Sequence, residues 1–168
     1  MIRRLTAFFV ALLIGLLGCL GLPRFTVSVQ AAEIDPDIIR YLEVTEPVPI
    51  ALDEAGNTRL FSGEELSQGK KLFTESCLSC HIGGATLPFP TVSLSLAALQ
   101  GATPPRDNIS NLVAYFRYPV TYDGSSETYW CREIPESWMS QEEVEQLAAF
   151  LLRTAEKVPG WGTTSPSL

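Results

Sequence analysis

The stretch Cys77-Leu78-Ser79-Cys80-His81 constrains this chain more than any other feature, and it holds the chain's only histidine. Two cysteines separated by two residues set their sulfurs apart by about the spacing of the two vinyl groups of a porphyrin. Each sulfur adds across one vinyl group, and the histidine that follows points its imidazole at the iron. The motif therefore reads as covalent attachment of a single haem c through Cys77 and Cys80, with His81 as proximal iron ligand. A chain with this commitment must fold around a large, flat, apolar group. Two other readings use the same residues. Cys77, Cys80, His81 and Cys131 make a formal Cys₃His zinc set, but the adjacent Cys80 and His81 are awkward to place on one tetrahedral ion. A thioredoxin-like redox pair needs a flanking βαβ pattern, and none is present.

C-type haem is attached outside the cytoplasm, so the reading also requires export. The start of the chain meets that requirement. A basic "MIRR" is followed by an almost continuously apolar run from Leu5 to Leu22, and then by Val29-Gln30-Ala31. This three-part pattern is that of a secretory signal peptide, with cleavage expected after Ala31. The expected organisation is a leader over 1–31 and a single monohaem cytochrome c domain over 32–168. An uncleaved anchor and a lipoprotein signal at Cys19 are the competing readings. Cleavage removes Arg3, Arg4 and Arg24 and no acidic residue, which leaves nine basic against nineteen acidic side chains and a net charge of −10. Such a surface excludes nucleic acid as a partner and suits a soluble protein that meets basic surfaces. Cleavage also removes Cys19 and leaves Cys77, Cys80 and Cys131. If the first two are bonded to haem, Cys131 has no disulfide partner within the chain.

The pattern between these landmarks is mainly helical. "VPIALDEAGNTRLF", 48–61, reads as a small hairpin near the N-terminus, turning at 54–57. Ser62 and Glu65 form a capping box, and Leu66, Gly69, Leu72 and Phe73 share one face of the helix that follows. That helix ends at the haem motif. A short helix is expected around 93–100 and a longer one over 107–118, with Ile109, Leu112, Val113 and Phe116 buried and Pro119 stopping it. "TYDG", 121–124, is a turn, and 125–139 is an aromatic-rich loop. A second capping box, Ser140 with Glu143, opens the last helix, whose apolar face is Val144, Leu147, Ala148, Leu151 and Leu152. "VPGWGTTSPSL" reads as a loose tail. Arg106 and Asn108 in "PPRDN" can donate to a haem propionate, or serve as surface charge and helix cap.

The "CLSCHIGG" stretch together with "ATPPRDNISNLVAYFRYPVTYDG", 102–124, resembles the cytochrome c-550 family, the extrinsic haem subunit of photosystem II. The "VPIALDEAGNTRLF" hairpin, the "GKKLF" helix, the final helix and the "GWG" near the end extend the resemblance over nearly all of the mature chain. The resemblance implies a mainly α, single-domain cytochrome c fold with a small hairpin, located in the thylakoid lumen, peripheral to the membrane. It also implies a low-potential haem with two histidine ligands. Here the chain departs from the family: the second histidine is missing, and Cys131 stands in its place. In that respect the chain is most similar to a diverged c-550-like paralogue.

Several groups compete for the iron's other face. Met139 is the only methionine of the mature chain, and methionine is a common haem ligand. It also precedes the Ser140 cap, where an apolar residue packs against the first turn. Tyr129 can ligate as phenolate. Phe73, Tyr115, Phe116, Tyr129 and Trp130 are candidates for packing in the haem pocket, with helix-face core as the simpler description. Cys131 is the preferred candidate. It aligns with the family's distal ligand, it is unpaired, and ferric iron favours the thiolate that ligates. Arg132, next to it, is a candidate source of favourable charge. A thiolate ligand would stabilise ferric iron and lower the potential.

The function expected is electron transfer, with photosystem II lumenal subunits or a soluble redox partner of basic surface as partners. The alternatives are a structural photosystem II subunit without redox turnover, and a haem sensor or enzyme with a labile sixth ligand. A peroxidase lacks the second histidine it needs for acid–base work on peroxide.

Overall fold

A computed structural model describes residues 33–86 and 92–163, all within one compact unit of the chain. The expected leader, 1–31, lies outside the described residues. The architecture begins with a helix absent from the sequence reading, α1, Pro36–Leu42. Asp35 caps it by accepting from the Asp37 N–H at 2.9 Å, and Pro36 sits in its first turn, where a missing N–H does no harm. Ile38 and Leu42 are its buried face. Lys70 reaches back to the Asp35 and Asp37 carboxylates at 2.8 and 2.6 Å.

The expected hairpin forms from β1, Val48–Ala51, and β2, Thr58–Phe61, paired antiparallel with Val48 opposite Phe61 and Ala51 opposite Thr58. Its turn is organised from one residue earlier than expected. The Asp53 carboxylate accepts from the Ala55 and Asn57 backbone N–H groups and from Asn57 Nδ2. Arg59 ties the hairpin to the helices through Glu65 and Glu145.

The remaining elements are α2, Gly63–Ser76, a 3₁₀ turn over Ile82–Gly84, α3, Leu96–Gln100, α4, Ile109–Arg117, and α5, Gln141–Lys157. Both capping boxes are formed, Ser62 with Glu65 and Ser140 with Glu143. The expected stripes are buried on α2, α4 and α5. Each large side chain so buried contributes about 1.5–3 kcal/mol.

The crossing of α2 on α5 sets the position of everything that follows α2. It depends on Gly69, where an added Cβ would lie 2.1 Å from the Gln146 carbonyl oxygen. Phe73, one turn further on, packs against Phe150 at 5.7 Å and against Trp161 at 5.8 Å between ring centroids. Trp161 belongs to the segment read from sequence as a loose tail. Through residue 163 that segment is docked instead. The Gly162 N–H donates to the Gly83 carbonyl at 2.8 Å, and the Trp161 ring lies where a side chain on Gly84 would be, 2.6 Å from its ideal Cβ. The aromatic ring supplies the apolar area that a tail of Gly, Thr and Ser lacks.

Candidate haem site

Helix α2 ends at Cys77, whose N–H donates to the Phe73 carbonyl at 2.8 Å. The Cys80 and His81 N–H groups both donate to the Cys77 carbonyl at 3.0 Å. One carbonyl thus curls the whole motif into a single turn. Gly83 and Gly84 follow with φ of 60° and 79°, a conformation that glycine adopts without strain.

His81 is oriented by a residue the sequence reading did not single out. Thr86 Oγ1 lies 3.1 Å from His81 Nδ1 and donates its one proton to the Val92 carbonyl. The hydroxyl has no second proton, so Nδ1–H must be the donor toward it. That tautomer leaves the Nε2 lone pair for a metal. Burial holds the imidazole below its ordinary value, and a hydrogen bond to the Ala85 backbone works against that. A neutral ring is also what a metal ligand must present. Nothing in the spacing of "CHIGGAT" marks Thr86 in advance.

Burial, and then the neighbouring Cys131 and Cys80, push the Cys77 thiol up to about 12. Cys131 comes from the 125–139 loop, far along the chain, yet it lies close enough to both other cysteines for their charges to interact. Burial raises its thiol, while a hydrogen bond from Tyr115 and the charge of Arg106 lower it. No disulfide links the three. Among the described residues, no group of three or more His, Cys, Asp or Glu side chains is placed to hold a metal ion by itself. The zinc set is therefore not assembled. A porphyrin fits the donor set instead: two cysteines for thioether bonds, one neutral imidazole and one further sulfur.

The other candidates are placed elsewhere. Met139 and, at the start of α5, Val144 are 2 % and 0 % exposed in the same core cluster, as a hydrophobic staple requires. Tyr129 and Trp130 are 93 % and 72 % exposed, so no protein group covers them. Tyr115, on α4, is the aromatic beside Cys131. Arg132 lies over the Trp138 ring, Cζ 5.2 Å from its centroid, and the cation that acts on Cys131 is Arg106. Asn108 caps α4, its Oδ1 accepting from the Asn111 N–H at 2.9 Å.

The cytochrome c-550 domain model matches residues 37–167, nearly all of the described chain. This chain belongs to the cytochrome c-550 family. A cytochrome c-550-like protein of Trichodesmium erythraeum is 56 % identical over 137 residues, which are 82 % of each chain. The photosystem II extrinsic protein V of Gloeobacter violaceus is 48 % identical over 161 residues, 95 % of this chain and 86 % of the other. The crystal structure of the PsbV2 cytochrome from Thermosynechococcus elongatus is similar in fold, with a TM-score of 0.76 and 52 % identity over 77 % of this chain and 99 % of that one. The mainly α cytochrome c fold with a small hairpin is thus shared with that cytochrome. As a member of this family the chain carries a c-type haem and is a cytochrome rather than an enzyme.

Proposed function

We propose that this c-550-family cytochrome is a low-potential, single-haem electron carrier of the thylakoid lumen, with His81 and Cys131 on the two faces of the iron. The observation that supports the reading is Cys131, half-buried and without a disulfide partner in a chain whose Cys77-Leu78-Ser79-Cys80-His81 turn holds His81 in one tautomer. When bound, the haem supplies a reversible one-electron change at iron. The chain's residues set where that change occurs. Cys77 and Cys80 would hold the porphyrin, His81 Nε2 would hold the iron, and a Cys131 thiolate would favour the ferric form. Asn108, with Oδ1 engaged as a cap, keeps Nδ2 to donate to a propionate. Residues 1–31 are the leader that exports the chain, and 32–168 the domain that remains.

Association with photosystem II on the lumenal side is supported by relatives named photosystem II extrinsic protein V. No described helix is long and apolar enough to cross a membrane. The net charge of −10 expected after cleavage suits a basic docking surface. A docked subunit without redox turnover is the second reading, which the same relatives favour. Co-purification with photosystem II from a lysate supports docking. Rapid equilibration of the free protein with a soluble redox partner supports the carrier. For the site itself, the test is the ferric optical and electron paramagnetic resonance spectra of the Cys131→Ser variant. Loss of a low-spin thiolate signature is expected, and an unchanged spectrum removes Cys131 from the iron.

A further inference from the structure

The C-terminal end of the described chain grips the haem-binding turn from both sides. Val158 ends α5, and Trp161 then stands between Gly160 and Gly162, whose φ values of 79° and 75° turn the chain back on itself. The Trp161 ring reaches one residue before the turn and one after it. It packs against Phe73, whose carbonyl accepts from the Cys77 N–H, at 5.8 Å between ring centroids. It also fills the space beside Gly84, whose ideal Cβ would lie 2.6 Å from it. Gly162 makes the second grip. Its N–H donates to the Gly83 carbonyl at 2.8 Å, and a Cβ on it would lie 2.5 Å from the Ser95 backbone nitrogen. These contacts fall on a backbone closure, where the Leu94 N–H donates to the Gly84 carbonyl at 2.7 Å. The Val92 carbonyl, two residues before Leu94, accepts from the Thr86 hydroxyl that faces His81 Nδ1. The contacts therefore run from Trp161 and Gly162, through Gly84 and Leu94, to the hydroxyl that orients the imidazole.

We propose that Trp161 and Gly162 form a C-terminal clasp that fixes the orientation of the His81 ring by holding closed the segment that carries Thr86. This rests on the reading of His81 as an iron ligand and uses nothing from the Cys131 side. Both are positioning residues: they act on the iron through Thr86 and His81. The ring plane of a ligating histidine is set by the hydrogen bond that its other nitrogen makes. That bond is only as firm as the backbone that presents the hydroxyl. Gly83 and Gly84, with φ of 60° and 79°, give this backbone its sharp turn but no side chain with which to pack. An indole brought from the far end of the chain supplies the missing apolar contact.

The test uses the haem-loaded full chain with its one histidine isotopically labelled at nitrogen, so that every imidazole signal belongs to His81. Exchange of the Nδ1–H with solvent is followed by nuclear magnetic resonance in wild type, Trp161→Phe, Trp161→Ala and Gly162→Ala, all below their unfolding transitions. Trp161→Ala and Gly162→Ala are expected to speed that exchange roughly tenfold, the weight of one aromatic contact, and to shift the Nε2 resonance. Trp161→Phe keeps a ring against Phe73 and Gly84 and is expected to recover most of the protection. If the clasp is packing alone, the variants unfold more easily while the folded imidazole keeps its wild-type exchange and shifts, and that result overturns the inference. If neither Trp161→Ala nor Gly162→Ala folds, native-state exchange of the wild type decides. The Gly162 and Leu94 amides and the Nδ1–H are expected to open together, with less free energy than global unfolding. A Gly162 amide that opens freely while the Nδ1–H stays protected overturns the clasp and leaves His81 as ligand. An imidazole without paramagnetic shifts in the ferric wild type removes His81 from the iron and overturns both readings.

Discussion

The two faces of the haem site are built in opposite ways. On the His81 side the parts are nearly contiguous, running from Phe73 through the turn at Cys77 to the Thr86 hydroxyl. On the Cys131 side they come from separate places: Arg106 in the "PPRDN" segment, Tyr115 on helix α4, and Cys131 in a loop after the "TYDG" turn. The near side is rigid because one carbonyl and one helix end dictate it. The far side is assembled only when α4 and the loop have packed. The proposed ligand Cys131 thus sits on the side whose supports are dispersed.

Substitutions that strike one side test this division. The largest effect is expected for Gly69→Ala. Its new methyl meets the Gln146 carbonyl and pries α2 from α5, which should destabilise the protein by about 3 kcal/mol or more. Denaturant unfolding measures it, and a wild-type midpoint would show that the crossing is not what seats the His81 side. Thr86→Val comes next. It removes the acceptor of His81 Nδ1–H and frees the ring to turn. Weaker axial ligation by His81 is expected, seen as a high-spin fraction in the ferric resonance spectrum, with the Cys131 signature retained. Equal loss on both faces would contradict the division.

Asn108 separates capping from haem contact. Asn108→Asp keeps a good N-cap but replaces the Nδ2 donor with an oxygen. Unchanged stability with a lowered reduction potential is expected. Asn108→Ala should cost about 1 kcal/mol in thermal or denaturant unfolding, through loss of the cap. A wild-type potential in Asn108→Asp would confine the residue to its helix.

The smallest effect concerns the Asp35–Lys70 pair, remote from both faces. Its hydrogen bond to Lys70 chiefly holds the Asp35 carboxyl below its ordinary value. A depressed folded-state value means stability that is fully present above the unfolded value and lost as pH falls through the folded one. The contribution, about 0.5 kcal/mol for a half-exposed pair, should disappear below about pH 4. Asp35→Asn should remove that part of the acid sensitivity, and a stability profile that keeps its slope would assign it elsewhere.

Most of the His81 side was legible in the sequence because its signals are local. Both capping boxes, the hairpin and the stripes on α2, α4 and α5 are patterns within a dozen residues. Helix α1 escaped because it is short and lies among prolines. Yet the Asp35 cap and Pro36 at its start are ordinary helix signals that a closer reading would use. The dispersed features were not legible. Arg132 stands beside Cys131 in sequence, but Arg106 acts on it in space. Tyr129 and Trp130 precede Cys131 in the chain and are exposed, while the Tyr115 ring on α4 is stacked against Arg106. Trp161 looked like part of a tail, and it is a wedge between Phe73 and Gly84. Each is a contact between residues far apart in the chain, which no local period encodes.

The central claim is that the Cys131 sulfur lies on the iron opposite His81. Iron-edge X-ray absorption of the ferric, haem-loaded protein tests it most directly, because thioether sulfurs of Cys77 and Cys80 lie outside the iron's first shell. The account predicts one sulfur at thiolate bonding distance, absent in Cys131→Ser. A first shell of nitrogen and oxygen alone, or a sulfur that persists in the variant, would contradict it.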